Sequence, residues 1–358
     1  MKTLSLDLFS TLTNLLKKPK KKEQGIPAKV GIYSKLLILL SEWIPVCAGM
    51  TLIFTFSTGL LIFANATELD LSQEFDFSAP RDLDIHYYDM QSDNINYESN
   101  GKRSTVTYHL MVSCEPKEDR DIYTCGRFAV TFADNRTGEI SQLEGWSHEF
   151  TRNAGVDEGG LIFGIPHESF TGLTTDDGRK LAVDQCYAVY NSFVDFHSFV
   201  GIFSRPIPGD NGIQNLKHIG DSIVHSAAFT EPPVHLGDLI EKGSVFRNGR
   251  ITLSLSGCSL INNKVCAIID YDSGASSFTM RLQPMPDMDA VVNGSSHYFG
   301  RIFIDINSLW VKKLTLSEFV VSETDIPSNQ MKVPGITERQ VRIVELDKQQ
   351  YERRCNGE

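Results

Sequence analysis

The sequence predicts an α+β fold: a predominantly antiparallel, strongly curved, half-barrel-like β-sheet packed on one long aromatic-rich helix. Three observations predict it. Runs of β-branched and aromatic residues separated by polar turns fill residues 105–132 and return from 245 to 346. No strand–helix–strand alternation joins them, so neighbouring strands connect by short turns and run antiparallel. Between the two β-rich stretches lies a single strong helical pattern, whose wide apolar face needs a broad surface to cover it.

Composition sets the outer bounds. The chain has 358 residues, 41% hydrophobic and 22% charged, which is globular and excludes collagen-like, Pro/Gly-rich disordered and multi-span membrane classes. At roughly 100–200 residues per domain, two or three domains would fit, but no internal boundary or repeat breaks the β-rich part. The formal net charge of -11 argues against a general nucleic-acid binder, because phosphate needs a cationic face.

Charge is unevenly spread. Residues 1–66 carry eight Lys, no Arg and three acids, a net of +5, so the rest carries -16 of the -11 total. Residues 1–49 read as a basic leader, with Lys17, Lys18, Lys20, Lys21 and Lys22 clustered. Residues 50–66 read as the hydrophobic region and cleavage site of a signal peptide. The apolar run from Leu52 to Phe63 ends in Ala64-Asn65-Ala66, the small-x-small pattern of signal peptidase, so the mature chain would begin at Thr67. That run spans roughly 18 Å as a helix, against a hydrocarbon core of about 30 Å. The alternative is an uncleaved anchor in the inner membrane built from residues 36–63, which would bury Glu42 and Pro45. Both place the remainder outside the cytoplasm, as a periplasmic or secreted protein. Trp43-Ile44-Pro45-Val46-Cys47-Ala48-Gly49-Met50-Thr51 resembles the peptide translated from interspersed palindromic repeats of some bacterial genomes. The resemblance implies that the leader is inserted or mis-started and has no folded role.

One exported domain is expected over 67–348. Residues 67–100 form a loose acidic segment with a short strand near Ile85–Met90. Thr105–Val112 and Tyr123–Phe132 then alternate around a polar turn as a hairpin, and a further strand ends near Trp146. Glycine-rich residues 151–180 read as a long loop. The helix runs from Leu181 to Ser204, with Asp176 or Asp177 as cap and Pro206 enforcing its end. Tyr187, Tyr190, Phe193 and His197 share its apolar face with Val183, Cys186 and Val200. A short second helix fits Ile213–Ile219. Strands follow at 245–246, 251–255, 265–271, 277–282, 298–304, 311–321 and 340–346, with Asn262-Asn263, Ser273-Gly274 and Asn293-Gly294 among the turns. Residues 349–358 read as a polar, frayed tail.

Catalytic signatures are sparse. The chain contains no G-x-G-x-x-G, P-loop, H-E-x-x-H or G-x-S-x-G pattern, and no Cys or His set at zinc spacing. No metal and no cofactor are therefore expected. His197 lies near Asp195, but residues two apart on a helix point to different sides, which argues against a base and its carboxylate. Ser296 and His297 are strand neighbours and face opposite ways. Trp146, Tyr187, Tyr190, Phe193 and His197 are the candidate lining of a pocket between sheet and helix. Cys114 with Cys125 and Cys258 with Cys266 flank hairpin turns and are candidate disulfides in an oxidising compartment, while Cys186 and Cys355 have no assigned partner.

Three readings of function follow. The first is a non-catalytic exported protein binding a lipid or amphipathic small molecule between sheet and helix. The second is a structural or interaction module of the cell envelope with a protein partner. The third is a hydrolase with a site assembled from distant acids and histidines.

Overall fold

The computed structural model describes residues 74–97, 101–151, 163–232, 243–285 and 288–357. The basic leader, the apolar run, Ala64, Ala66 and Thr67 lie outside the described residues. Among the described residues the structure is mostly antiparallel β-sheet: thirteen strands in one sheet that does not close on itself. The strands are β1 (His86–Tyr97), β2 (Arg103–Pro116), β3 (Arg120–Thr131), β4 (Thr137–Glu139), β5 (Ser147–Thr151), β6 (Ser222–Val224) and β7 (Val245–Arg247). They continue as β8 (Thr252–Ile261), β9 (Lys264–Asp272), β10 (Ser277–Met285), β11 (Met288–Asp305), β12 (Val311–Ile326) and β13 (Met331–Leu346).

The sheet runs β4-β3-β2-β1-β13-β12-β11-β9-β8-β6. It branches twice. The first half of β11 pairs with β10, which pairs in turn with β7, and the second half pairs with β9. Likewise β3 pairs with β5 near its start and β4 near its end. The seam between β1 and β13 joins the first strand to the last, with Tyr87 opposite Leu346. Strand formation follows alternation: along β12 the odd-even pattern buries Leu314, Leu316 and Val320 on one face and exposes Phe319 and Val321 on the other.

Several expectations need correction. Asn293-Gly294 is not a turn but lies inside β11. A β-carbon at Gly294 would sit 2.4 Å from the Phe278 ring and 2.6 Å from the Val321 carbonyl, so glycine is there for close approach. β1 is 12 residues long rather than a short strand. The second helix at Ile213–Ile219 is only a 3-10 turn over Ile213–Asn215. The polar tail is ordered as helix α2 (Lys348–Cys355; α1 is described below), capped by Asp347, whose carboxylate accepts from the Gln350 amide at 2.7 Å. The Tyr351 ring lies tilted against Tyr87 at 4.9 Å and Arg354 pairs with Asp89, which holds the tail on the sheet.

The disulfides are also corrected: Cys114, Cys125, Cys258 and Cys266 are all free thiols. The register explains why. A bulge at Met111/Val112 sets Cys125 opposite Val112 and Cys114 opposite Tyr123, so the two sulfurs are diagonal rather than facing. In the second hairpin Cys258 pairs with Ala267 and Cys266 with Ser259, one residue out of step, which turns their side chains to opposite faces.

The central helix, α1, runs from Val183 to His197 and continues as a π-turn over Ser198–Ile202. It starts two residues later than expected. Neither Asp176 nor Asp177 caps it: Asp176 accepts from Ser141, and Asp177 from Thr175 and Arg179. Instead the Gln185 side chain accepts from the Ala182 amide at 3.0 Å. The helix is not half-exposed. Every residue from Val189 to Val200 is buried, polar ones included. Burial of such a helix is tolerable because Ser192, Ser198 and Ser204 return their hydroxyls to carbonyls one turn back. Its rings reach strands far apart in the sheet: Phe193 meets Phe128 of β3, Phe196 meets Tyr88 of β1, and Phe199 meets Tyr271 of β9.

Candidate functional site

Cross-strand register assembles two rows of polar side chains on the buried face of the sheet. The first row is His86 on β1, Cys114 on β2, Tyr123 on β3 and His148 on β5, each directly opposite the next. The second is Arg339 on β13, Glu318 on β12 and Tyr298 on β11. All seven are buried. Helix α1 lies against both rows. Asp195 and His197, two residues apart, point to different sides and meet different rows.

Asp195 pairs with Arg339, whose Nε lies 3.5 Å from Glu318. One guanidinium therefore faces two buried carboxyls. Burial pushes Glu318 up to about 7; Arg339 opposes the shift, Asp195 adds to it, and the hydroxyls of Tyr298 and Ser296 oppose it. Burial also raises Asp195, against the pull of Arg339. This centre keeps its proton at pH values where an exposed carboxyl has lost it.

His197 meets the first row. Its ring lies 5.1 Å from Tyr123, 5.7 Å from His148, 4.5 Å from Phe150 and 4.6 Å from Phe163. Burial drives His197 well below the usual imidazole range, helped by His148 and Arg205, and takes His148 down to about 4. Both rings are neutral at neutral pH. Neither ring of His148 or His197 makes a hydrogen bond among the described residues. The Tyr123 hydroxyl bonds the thiol of Cys114, which lies opposite it. A β-carbon built on Gly201 would lie 3.2 Å from the Tyr123 hydroxyl and 3.3 Å from His197 Nε2, so two polar atoms converge beside the bare face of the π-turn.

Cations sit next to this point. Arg205 pairs with Asp121, which is fully buried. Arg81 donates to the Val200 carbonyl at 2.9 Å and the Ser204 carbonyl at 2.7 Å, closing the end of the helix. Both guanidiniums face the Trp310 ring, at 4.4 Å for Arg81 and 5.4 Å for Arg205. Burial, then the neighbouring Arg205, lowers Arg81 to about 9.

The five pocket candidates fall close together. Trp146 and Phe193 are 5.1 Å apart and each lies 5.1 Å from Phe170, while Tyr187 and Tyr190 are 5.8 Å apart and face His167. The rings fill the space between helix and sheet with their own contacts. A hollow of about 500 Å³ opens instead near Phe299, Arg301, Ser317 and Arg342. Tyr123, Arg81 and Arg205 were not singled out from the sequence. Inward alternation along the hairpin marks Tyr123, but nothing local marks either arginine, because their partners are more than 80 residues away. Among the described residues no three His, Cys, Asp or Glu side chains come together to hold a metal ion, and no helix is long and apolar enough to cross a membrane.

The chain matches no protein-family model and no curated protein. Among solved structures it is similar to OmpF from Salmonella typhi in complex with daunomycin, at 8% identity over 76% of this chain and 100% of that one, with a TM-score of 0.18. It is also similar to an outer membrane lipoprotein-sorting protein domain from Vibrio parahaemolyticus, at 6% identity over 77% of this chain and 92% of that one, with a TM-score of 0.13. Scores this low assign no fold.

Proposed function

We propose that the protein is an exported, non-catalytic binding protein that takes an apolar or amphipathic ligand between sheet and helix. It works in the periplasm or outside the cell, as a single domain over 67–348 released after Ala66 or held at the inner membrane by an uncleaved apolar run. One observation carries the binding role: all four ring nitrogens of His148 and His197 are buried with no hydrogen-bond partner among the described residues, and the two rings lie 5.7 Å apart. In a purely structural core each such group costs roughly 1–3 kcal/mol. In a ligand site, a few convergent polar groups within an apolar lining are what fixes orientation. Trp146, Tyr187, Tyr190, Phe193 and His197 are the proposed lining, and the ligand enters by parting rings that otherwise pack on each other.

A half-barrel would suit this reading. Helix α1 and the π-turn after it touch β3, the adjacent pair β1 and β13, and β9, and β3 and β9 stand six places apart in the strand order. A sheet that curves around the helix accounts for contacts so widely spread. The hydrolase reading loses ground, because among the described residues no carboxylate orients His148 or His197 as a general base would require. Protein purified from the envelope without detergent, extracted into organic solvent and analysed by mass spectrometry, tests the proposal. An amphiphile near one per chain is expected. Empty protein that also takes up no added amphiphile would refute it.

The opposite face favours a second reading, an envelope interaction module. Phe299, Phe319, Val321 and Ile336 are 40–59% exposed there; the two phenylalanine rings stack at 6.1 Å, and Val321 pairs with Ile336. A photo-crosslinker at position 319 that captures one envelope protein in cells, and loses it in Val321→Asp, would support that reading.

A further inference from the structure

We propose that the ligand is an anionic amphiphile: a long-chain carboxylate whose head is held by Tyr123, Tyr88, Arg81 and Arg205 beside Gly201, with its chain directed along the aromatic face of α1. The inference rests on the binding role proposed above and names the ligand's class.

The donors point to it. The hydroxyl of Tyr88 and the Nε atoms of Arg81 and Arg205 are all buried without a hydrogen-bond partner among the described residues, and the Tyr123 hydroxyl has the thiol of Cys114, a weak partner that a carboxylate oxygen would displace. Arginine can only donate, and a tyrosine hydroxyl donates best to a charged acceptor. A carboxylate brings two oxygens and about four acceptor sites, and donates nothing. A neutral alcohol or amide oxygen offers two acceptor sites, too few for the four donors.

The groups act on one another across the cluster. Arg81 and Arg205 both bear electrostatically on Tyr123, and Arg81 on Tyr88. Tyr123 lies 5.1 Å from His197, and both reach the bare side of Gly201. The two guanidiniums repel each other and share one carboxylate partner, Asp121. The remaining charges nearby are already engaged: Glu345 holds Lys312 at 2.7 Å and His86 at 2.6 Å, and Asp82 holds His86 at 3.0 Å. Helix α1 ends here, and its carbonyl ends would repel an anion. Arg81 covers the Val200 and Ser204 carbonyls, so an incoming head meets cations rather than oxygens.

Size favours carboxylate over phosphate. The space beside Gly201 is too tight for any head group as it stands, since a methyl carbon there would already lie 3.2 Å from the Tyr123 hydroxyl; the head enters only by displacing Tyr123 and His197, and a flat carboxylate displaces them less than a tetrahedral phosphate does. The chain then leads toward Phe150 and Phe163, which flank His197, and on to Trp146 and Phe193.

The test is calorimetric titration of delipidated full-length protein with oleate, oleyl alcohol and acetate, each below its aggregation limit, at pH 7.5. Oleate should bind at least tenfold more tightly than oleyl alcohol, and acetate more weakly than either. Tyr123→Phe should weaken oleate roughly tenfold, leave oleyl alcohol unchanged and move the urea midpoint little, since the hydroxyl it deletes bonds a weakly accepting thiol, Cys114. Gly201→Ala should weaken oleate by filling the head position; Tyr88→Phe is the second probe should that chain not fold. Equal affinity for oleate and oleyl alcohol would overturn the anion and leave the amphiphile reading standing. Acetate binding as tightly as oleate would overturn the long chain. No binding of any of the three would overturn this inference and the proposed function together.

Discussion

Replacing Glu318 by Gln should change how stability responds to pH, and the size of the change follows from its burial. The Gln variant mimics the protonated acid and leaves Arg339 its pairing with Asp195. In the unfolded chain Glu318 titrates near 4.5, whereas in the folded chain burial carries it to about 7. Below about 4.5 both states hold the proton and the residue contributes nothing to the pH dependence. Between about 4.5 and 7 the folded state binds more protons than the unfolded state, so this residue makes stability fall as pH rises. Above 7 both are ionised and the penalty is constant at about 3 kcal/mol, taking 1.36 kcal/mol for each tenfold step. The variant escapes that penalty. Its stability relative to the parent should therefore improve by about 3 kcal/mol between pH 4.5 and pH 8. Urea titrations followed by the fluorescence of buried Trp310 would measure it. A difference that stays constant across that range, or grows toward acid, would refute the reasoning.

The histidines act in the opposite sense. Burial lowers His148 and His225 to about 4 and drives His197 well down too, so the unfolded state binds more protons between about 4 and 6.5; the parent should lose stability as pH falls through that window, and the Gln variant should lose it more steeply. Phe193→Ala should cost about 3–5 kcal/mol in urea denaturation, because the ring is enclosed by Phe128, Trp146 and Phe170; a loss under 1 kcal/mol would mean that the ring borders open space. Peptide mapping without reduction should find no bridge between Cys114 and Cys125, and both should resist alkylation in the folded protein, since burial raises each thiol to about 12. N-terminal sequencing of protein from the host envelope should begin at Thr67; a product keeping Lys17–Lys22 would exclude cleavage at Ala66.

Much of the sheet was legible because its signal is local. The alternation of Thr105–Val112, Tyr123–Phe132 and Val311–Val321 is written into neighbouring residues, and all three are strands. The errors arose where a distant contact overrides local chemistry. Asn293-Gly294 has turn composition, but the Phe278 ring and the Val321 carbonyl press on it from neighbouring strands. β13 starts at Met331, nine residues before the strand expected over 340–346; its Pro334 and Gly335 lie where β13 pairs with β12 but has no β1 residue opposite, and a proline is tolerated at such an edge. The tail looked frayed because its few apolar contacts, Tyr351 on Tyr87 above all, are long-range. The site was the least legible part. His197 and the aromatic face follow from helical spacing, whereas the meeting of Arg339 with Glu318 and Asp195 depends on strand register. A one-residue slip of β13 would send that guanidinium to the other side.

The seam between β1 and β13 also sets a timetable. His86 and Glu345 are bonded across 259 positions of chain, and the central pairing of the sheet waits for its final strand. A polypeptide emerging from its amino end delivers β1 to β5 and then α1 long before β13 arrives. Until then β1 presents a bare edge, and the helix has cover on one flank only. Formation of so distant a pairing is slow, because the loop it closes spans most of the chain. The unfinished protein therefore passes through a stage that invites strand exchange with its own copies. A stop a few residues short of β13 would produce chains that never leave that stage, which would make proteolysis, rather than weakened binding, the first phenotype of late truncation.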